Sequence, residues 1–278
     1  QVNTQHLVST WQSLKNNKHV LDERDVVIVD ECHTLTGKVL NEMLVSNSDN
    51  FKAIYGVTGT LPLDECNKTS VTSIVGSVKY TIPAKTLIDA KWLAEPIITI
   101  KHIEENLTNE YNWFTEHNST VPITYTQFKQ EFFPDYTSEK KYLSQNKDRI
   151  KLIASMIDEM STTGNTLCLV NSIPFGKKLK KLVTGSIFLA GSTDVEVRQD
   201  VCDAFNDIDN LKVIASVKIA GTGWSITKIN NLMLVDIGKS SIRVIQSIGR
   251  GLRRDDEKTH VTIWDVCSDT RYSTLHMK

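Results

Sequence analysis

Long apolar runs are missing from this sequence. No stretch approaches the roughly 20 consecutive apolar residues that a helix needs to span a bilayer. The first residues, Gln1-Val2-Asn3-Thr4, are polar and do not resemble a signal peptide. The absence of a long apolar run argues against a membrane-spanning protein. Hydrophobic residues make up 40% of the 278 positions, which is typical of a globular protein with room for two cores.

Closely spaced cysteines and an excess of positive charge are also missing. The five cysteines are scattered without a Cys-x-x-Cys pair, which disfavours zinc and a disulfide framework and predicts a reducing, intracellular setting. The formal net charge is −1, so a nucleic-acid partner requires a local basic surface. One basic run, on a predicted helix, is a candidate for phosphate contacts, although most such runs are solvated helix faces. It consists of Lys177, Lys178, Lys180 and Lys181.

The most informative stretch is an aliphatic run that ends in acids, Val26-Val27-Ile28-Val29-Asp30-Glu31-Cys32-His33. The apolar run predicts a strand buried on both faces, with its acids at the carboxyl edge of a parallel sheet, where α/β folds bind ligands. Nucleotide hydrolysis needs one acid to hold Mg²⁺ and a second group to position or deprotonate water. Asp30 and Glu31 fit these roles. From this stretch alone, a strand followed by an acidic turn is the alternative.

Strands and helices alternate along most of the chain, which predicts an α/β protein with right-handed βαβ units and parallel sheets. Strands are predicted at 25–30, 51–57, 96–103, 166–170, 187–189, 213–215, 231–236 and 261–264. Helices are predicted at 38–44, 86–91, from about 149, and at 176–183, 193–205 and 240–249. Thr193 is the predicted N-cap of its helix, with Glu196 completing a capping box. The polar and aromatic stretch 104–148 is predicted to be an interdomain segment with one or two helices.

Further motifs accompany the acids in a fixed order. They are Ser9-Thr10-Trp11-Gln12, Thr58-Gly59-Thr60, the glycine-rich Ala220-Gly221-Thr222-Gly223-Trp224, the segment Gln246-Ser247-Ile248-Gly249-Arg250-Gly251-Leu252-Arg253, and Trp264-Asp265. With these motifs the chain resembles the superfamily 2 helicases, and among them the UvsW-type DNA helicases of phages. The acidic stretch resembles motif II (Walker B), and Thr58-Gly59-Thr60, the glycine-rich turn and the 246–253 segment resemble motifs III, V and VI. Motifs II and VI are specific as a pair, whereas motifs III and V alone are weak.

The resemblance implies two RecA-like parallel-sheet domains, the first one incomplete. Residues 1–94 would be the partial first domain with motifs II and III, and residues 95–278 a linker and the second domain with motifs IV to VI. ATP and Mg²⁺ are the implied cofactors. The implied partner is DNA, single-stranded or branched, with RNA as the alternative and no membrane. The implied setting is the cytoplasm, that of the host cell if a phage encodes the protein.

The resemblance also implies catalytic roles. In the first domain Asp30 holds Mg²⁺, Glu31 positions or deprotonates water, and His33 links this site to motif III. In the second domain three side chains face the transferred phosphoryl group, where the planar fork of arginine suits phosphate: Gln246, Arg250 and Arg253. The two arginines are expected to share one face of a helix.

Other implied roles concern the nucleotide, coupling and nucleic acid. Gly221 and Gly223 allow the backbone to approach the nucleotide. The resemblance assigns the coupling of nucleotide state to domain movement to Thr58, Gly59 and Thr60. It assigns contacts with nucleic acid, through phosphates or stacking, to Thr10, Trp11 and Gln12.

Each role has a plainer alternative. His33 is also read as a local hydrogen-bonding group, the two threonines as turn hydroxyls and Trp11 as a core residue. The arginines also fit a basic helix end that complements the helix dipole.

The glycine-rich phosphate loop of the family is missing from the sequence. Thr36-Gly37-Lys38-Val39 lies after the acids and lacks the hydroxyl residue that follows the lysine of that loop. We therefore expect the chain to begin inside the first RecA-like domain and not to hydrolyse ATP normally by itself. The implied function is an ATP-dependent DNA helicase or translocase. The alternatives are the motor part of a restriction-type translocase and a non-catalytic nucleic-acid-binding fragment.

Overall fold

Each sheet of the protein pairs its strands in parallel. The computed structural model describes residues 6–118, 122–220, 226, 228–237, 249, 252–253 and 258–274. Contacts divide the chain into two compact units, Gln1–Ile82 and Pro83–Lys278. The first unit has a two-stranded sheet and the second a six-stranded sheet, so the predicted α/β class with parallel sheets is confirmed. The predicted domain boundary after residue 94 lies inside the second unit.

The first unit consists of a strand pair with helices packed on it. Its elements are α1 (Trp11–Asn16), β1 (Val26–Asp30), α2 (Lys38–Ser46), β2 (Ala53–Val57) and α3 (Glu65–Val75), with short 3₁₀ helices at Lys18–Val20, Cys32–Thr36 and Ser48–Asn50. The core of this unit is small. Its buried members are Cys32, Leu35, Leu44 and Val71.

Strand β1 is buried on one face only, so the prediction of burial on both faces is wrong for this strand. Val27 and Val29 pack against the small core, whereas Val26 and Ile28 are 50% and 70% exposed. Successive side chains of a strand point to opposite faces, and the packed residues of this unit lie on one of those faces. An uninterrupted aliphatic run therefore does not by itself require two covered faces.

The second unit places its fully buried strands, β4 and β7, in the middle of its sheet. Its strands are β3 (Glu95–Ile103), β4 (Thr166–Val170), β5 (Ile187–Leu189), β6 (Lys212–Ser216), β7 (Asn231–Val235) and β8 (His260–Ser268), in the spatial order β3-β8-β7-β4-β6-β5. Its helices are α4 (Ala84–Asp89), α5 (Thr108–His117), α6 (Tyr125–Glu131), α7 (Tyr136–Leu143), α8 (Lys147–Ser161), α9 (Ile173–Leu182), α10 (Val195–Asp207) and α11 (Val217–Ala220). Leu167 and Leu169 of β4 belong to one core cluster, and Cys168 and Val170 to another. The sheet is therefore covered on both faces, as a parallel sheet requires.

The stretch 104–148 differs from its prediction in helix number. It holds α5, α6 and α7 and belongs to the second unit, so the prediction of one or two interdomain helices is wrong. Capping boxes begin α6 and α7, with Thr124 and Gln127 at the first and Asp135 and Ser138 at the second. The aromatic side chains of this stretch form a core of their own around Leu107, Phe128 and Phe133.

The predicted capping box at Thr193 is wrong as well. The N-cap of α10 is Asp194, and it makes no side-chain capping bond. The Thr193 hydroxyl accepts a hydrogen bond from the Ala190 N–H at 3.0 Å instead. The Thr193 hydroxyl is thus bonded within a local turn and does not cap the helix.

The structure also describes the cysteines and the apolar content of the helices. All five cysteines lie among the described residues and none forms a disulfide; four are buried and Cys66 is exposed. Within the described ranges, no helix combines the length and apolar character needed to cross a bilayer.

Candidate functional site

The acids and the Thr58-Gly59-Thr60 motif meet at one edge of the first sheet. The parallel register sets Asp30 opposite Val57, so Glu31 and Thr58 are the next residues beyond the ends of β1 and β2. The carboxyl ends of neighbouring parallel strands thus bring two motifs 27 residues apart into contact. This edge is where α/β folds bind ligands.

A hydrogen-bonded cluster joins the two motifs through His33. The His33 Nδ1 lies 3.0 Å from the Thr58 Oγ1 and 3.2 Å from the Glu31 Oε2. The Thr58 hydroxyl lies 3.3 Å from the same carboxylate oxygen and 2.9 Å from the Thr60 carbonyl oxygen, and it accepts from the Thr60 N–H at 3.2 Å. The structure therefore brings four predicted site residues together. We name Glu31, His33, Thr58 and Thr60 the strand-end cluster.

The Glu31 carboxylate of the cluster is more exposed to solvent than the His33 side chain that supports it. The Glu31 side chain is 52% exposed and the His33 side chain 14%. A general base must reach solvent or substrate, whereas a supporting group works best when packing holds it. Glu31 therefore has the access that a base needs, and His33 has the shielding of a positioning group.

The backbone at Glu31 lies in an uncommon region. Its φ and ψ are 50° and 47°, the left-handed region that non-glycine residues seldom adopt. The Thr34 N–H and hydroxyl both donate to the Glu31 carbonyl oxygen at 2.9 Å, which fixes the turn from β1 into the 3₁₀ helix. Such strain persists only where surrounding contacts over-determine it, and it concentrates at functional sites.

Cys32 in the same stretch is a packing residue. Its side chain is 3% exposed and belongs to the small core. Burial, with a smaller effect of the neighbouring carboxylates, raises the pKa of the Cys32 thiol. A protonated, buried thiol is a poor nucleophile and a poor metal ligand, so the chemistry of this stretch falls to its acids.

Asp30 suits a magnesium ion that also binds a nucleotide. Its side chain is exposed, and its Oδ1 accepts from the Glu31 N–H at 2.9 Å, which orients the carboxylate. Within the described residues no group of three or more His, Cys, Asp or Glu side chains is arranged to hold a metal. Mg²⁺ commonly takes only one or two carboxylates and fills its shell with water and phosphate oxygens. The residues present therefore fit Mg²⁺ in that mode.

The Thr36-Gly37-Lys38 sequence begins a helix and does not form a phosphate loop. Gly37 is the N-cap of α2, and the Lys38 side chain is 84% exposed and pairs with Glu42 at 3.7 Å. A phosphate loop instead lies between a strand and a helix and cradles the anion with its backbone N–H groups.

The predicted motif VI arginines are only partly described. Gln246 and Arg250, together with Gly221 and Gly223 of the glycine-rich turn, lie outside the described residues. Arg253 forms an isolated bridge with Leu93, and the Leu252 carbonyl accepts from the Ala94 N–H at 2.9 Å. Arg253 thus pairs with the chain beside the start of β3, and its placement relative to Arg250 stays a prediction.

The predicted nucleic-acid contacts begin α1. The Thr10 hydroxyl caps this helix by accepting from the Ser13 N–H at 3.3 Å. Trp11 is exposed and Gln12 follows it on the surface, so the alternative of a core tryptophan is wrong.

The four lysines of α9 are exposed, and Lys178 donates to the Ser144 carbonyl oxygen at 3.0 Å. Their placement agrees with a solvated helix face.

One charged cluster was missed by sequence reasoning. Arg149 of α8 is fully buried and pairs with Glu105 at 3.2 Å and with Asp236 at 2.9 Å. Burial raises the pKa of the Glu105 carboxyl, against the lowering effect of hydrogen bonds from Ser268 and Asn146 and of the Arg149 charge. A signal was present, because Leu232-Met233-Leu234-Val235-Asp236 repeats the pattern of an aliphatic strand that ends in an acid.

Comparison with known proteins agrees with this architecture. Residues 147–255 match the helicase conserved C-terminal domain. The ATP-dependent DNA helicase uvsW of Enterobacteria phage T4 is 23% identical over 271 residues, which are 94% of this chain and 49% of that protein. The chain thus spans about half the length of this curated relative. It is similar to superfamily 2 helicases over most of its length.

Solved structures show the same fold. A fragment assigned to the HsdR subunit of a type I restriction enzyme from Vibrio vulnificus YJ016 has a TM-score of 0.65 at 17% identity, covering 95% of this chain and 47% of that one. The ATP-dependent Type ISP restriction-modification enzyme LlaBIII, bound to DNA, has a TM-score of 0.57 at 14% identity, covering 93% of this chain and 19% of that one. The chain thus has an α/β fold with parallel sheets of the RecA-like type.

Proposed function

We propose that this chain is part of an ATP-dependent helicase or translocase that moves on DNA. The observation that carries the proposal is the strand-end cluster, in which His33 lies within 3.2 Å of both Glu31 and Thr58. Similarity to helicases over most of the chain supports the same class of nucleic-acid motor.

The proposed chemistry assigns one task to each acid. Asp30 supplies a carboxylate oxygen to the Mg²⁺ that accompanies the nucleotide. Glu31 accepts a proton from the attacking water at its exposed carboxylate. Bound ATP would supply the phosphoryl group that water attacks. Mg²⁺ would supply the positive charge that activates this phosphoryl group.

We assign the coupling of nucleotide state to domain movement to the side chains that support the Glu31 base. His33 and Thr58 hold the Glu31 carboxylate, and Thr58 also holds the backbone of Thr60. A shift of the chain after β2 would therefore move the group that deprotonates water. In the second unit Gln246, Arg250 and Arg253 are proposed to stabilise charge on the transferred phosphoryl group.

Nucleic-acid contacts are proposed at Thr10, Trp11 and Gln12, with the α9 lysines as weaker candidates. DNA is preferred to RNA because the T4 relative is a DNA helicase.

The proposed test is Glu31→Gln in the full-length protein, assayed for DNA-stimulated ATP hydrolysis. Glutamine keeps the size and much of the polarity of Glu31 but cannot take the proton. We expect ATP to bind while turnover falls by at least about 10²-fold, as is typical when a general base is lost. Asp25→Asn is the matched control, because Asp25 is an exposed acid at the opposite end of β1 that pairs with Lys52.

Two outcomes would contradict the proposal. Unchanged turnover in Glu31→Gln would remove Glu31 from the role of base. DNA binding by the wild-type protein without any ATP turnover would favour the alternative of a non-catalytic nucleic-acid-binding protein. A restriction-type translocase would share the motor chemistry and would be distinguished by cleavage of the DNA.

A further inference from the structure

The lysines of α9 have basic neighbours on the two helices that precede it. The sequence as a whole has 32 basic and 33 acidic residues, so its composition does not explain a local excess of positive charge. Helices α7, α8 and α9 nevertheless carry a series of lysines with exposed or half-exposed side chains. They are Lys140, Lys141, Lys147, Lys151, Lys177, Lys178, Lys180 and Lys181.

Packing places the start of α8 beside α9. Ile153 of α8 and Leu179 of α9 are buried in the same core cluster, so the two helices cover one face of the sheet. The Lys178 Nζ donates to the Ser144 carbonyl oxygen at 3.0 Å, in the turn between α7 and α8. The Ser144 hydroxyl donates to the Lys141 carbonyl oxygen at 2.9 Å. The end of α7, the start of α8 and the middle of α9 therefore meet.

Helical spacing places two lysines of α8 on the side that faces α9. Lys147, Lys151 and Asp158 are four and seven residues apart, so they lie along one side of the helix. Asp158 pairs with Lys212 of β6 at 2.8 Å. Helix α9 packs against β4 and β5, the strands on either side of β6. This side of α8 therefore points toward α9.

The outer side of α9 continues the same surface. Lys177 and Lys181 are one turn apart, opposite the buried Phe175 and Leu179. We give the name three-helix basic surface to the lysines that these contacts and spacings bring together. Its members are Lys141, Lys147, Lys151, Lys177, Lys178 and Lys181.

Carboxylates balance little of this charge. Asp148 is 93% exposed and pairs with Lys151 at 3.7 Å. Glu139 of α7 is buried, and Asp158 and Glu159 lie at the other end of α8. Within the part of the chain that the structure describes, the other five lysines of the surface form no ion pair.

Helix stability does not account for the arrangement. Lys147 is the first residue of α8, where the helix dipole disfavours a positive charge. Lys177 and Lys181 are spaced i, i+4, where like charges repel each other. Only the last turn of a helix favours cations, and Lys177 and Lys178 lie before the last turn of α9. An anionic partner would relieve this repulsion.

The chemistry of the surface selects the kind of anion. Proteins that hold single strands combine positive charge with aromatic side chains on which bases stack. The exposed aromatic ring of these helices, Tyr136, instead packs edge-on against Tyr272 and lies under the Lys140 ammonium group. Lysine ammonium groups act on phosphate as point charges and read no sequence. Duplex DNA offers one phosphate charge about every 1.7 Å of its axis.

We propose that the three-helix basic surface binds the phosphate backbone of duplex DNA without regard to sequence. The choice of DNA rests on the proposed function, which it extends from the motor chemistry to a binding surface within the second unit. The attraction to phosphate depends only on the lysines of α7, α8 and α9.

The experiment measures binding of the full-length protein, without nucleotide, to a fluorescent duplex of about 20 base pairs at several salt concentrations. The test variant combines Lys147→Ala, Lys177→Ala and Lys181→Ala. A second variant carries arginine at the same three positions and keeps the charge. The matched control combines Lys52→Ala, Lys68→Ala and Lys85→Ala, which removes the same charge from exposed lysines outside the surface.

We expect the test variant to bind the duplex about 10- to 100-fold more weakly at about 0.1 M salt, because each lost phosphate contact releases fewer counterions. The slope of log affinity against log salt should become smaller by about 3, one for each contact. Two duplexes of unrelated sequence should lose affinity equally, and a single strand should lose less. The arginine variant and the control should bind like the wild type. All variants should unfold near the wild-type temperature, since the replaced side chains are exposed.

Three results would overturn the proposal. One is a test variant with the affinity and salt slope of the control, which would leave an acidic protein surface as the partner that these charges fit. Another is an equal loss on single strands, which would refute the choice of a duplex. The third is a wild-type protein that hydrolyses ATP with single-stranded DNA and does not bind the duplex. A wild-type protein that binds the duplex through these lysines but never hydrolyses ATP would instead refute the proposed function and support the surface.

Discussion

At Thr58 a single hydroxyl proton lies near two acceptor oxygens, and near the His33 Nδ1 when that nitrogen carries no proton. The Glu31 carboxylate lies at 3.3 Å and the Thr60 carbonyl oxygen at 2.9 Å, and one hydroxyl donates to only one of them at a time. When the proton points to the carbonyl, an Nδ1–H of His33 would remain to support the Glu31 carboxylate. The Thr58 hydroxyl can thus bond either to the Glu31 carboxylate or to the Thr60 backbone. This choice links the hydrogen bonding of the base to the backbone after β2.

A substitution at Thr58 in the full-length protein tests this link. Thr58→Val keeps the shape of the side chain and removes the proton and the acceptor, whereas Thr58→Ser keeps both. Hydrogen bonds to charged groups contribute about 1.5–3 kcal/mol, so we expect DNA-stimulated ATP turnover to fall by about 10- to 100-fold in the valine variant and little in the serine variant. Equal turnover in the two variants would show that the hydroxyl has no part in coupling.

Close packing of α9 on its sheet depends on Gly176. A Cβ at this position would collide with the Phe188 ring and come within 3.0 Å of the Val170 Cγ2. Alanine normally favours a helix over glycine by about 1 kcal/mol. Here the overpacking of a buried contact opposes that preference and is expected to exceed it.

Gly176→Ala is therefore expected to destabilise the second unit by about 1–3 kcal/mol, the range typical of overpacked cores. Urea unfolding would measure the change. Lys177→Ala, at an exposed position of the same helix, is the control and should change stability by less than about 0.5 kcal/mol. A Gly176→Ala variant as stable as the control would mean that α9 does not pack this closely.

The elements show which parts of the fold the sequence predicts. Strands such as β4 and β7 were predicted correctly because they are short aliphatic runs buried in the middle of a sheet. For 104–148 the sequence pattern predicts one or two helices and the structure has three, although Thr124 and Gln127 have the spacing of a capping box. Aromatic residues without a clear period obscured that signal. Their burial comes from a small core that forms only when α5, α6 and α7 meet the chain at Tyr272.

The sequence predicts the part of the candidate site that lies at the carboxyl ends of neighbouring strands. Glu31 and Thr58 come together because parallel strands share a carboxyl edge, and the sequence alone implies that much. The pairing of Arg149 with Asp236 joins residues 87 positions apart, and its bond to Ser268 joins residues 119 apart. No local pattern selects such partners, because they are brought together by the strand order β3-β8-β7.

At the scale of the whole chain, the two units differ in how much core supports them. The first has two strands and a small cluster, and Tyr55 and Val57 of β2 are 58% and 51% exposed. The second has six strands between two larger clusters. Two-stranded sheets are marginal unless helices support them.

Native-state hydrogen exchange of the 278-residue chain tests this difference. Burial of one large aliphatic side chain contributes about 1.5–3 kcal/mol, and about 1.4 kcal/mol corresponds to tenfold in an opening equilibrium. We therefore expect the protected amides of β1 and β2 to exchange at least about 10-fold faster than those of β4 and β7. Strand β5 is the control, since it lies at the edge of its sheet but in the larger unit, and its amides should be more protected than those of β1. If β1 and β4 were equally protected, the small cluster would be as stable as the large ones. The exposed residues of β1 and β2 would then have to be covered in solution, because a core of four buried side chains does not supply that protection by itself.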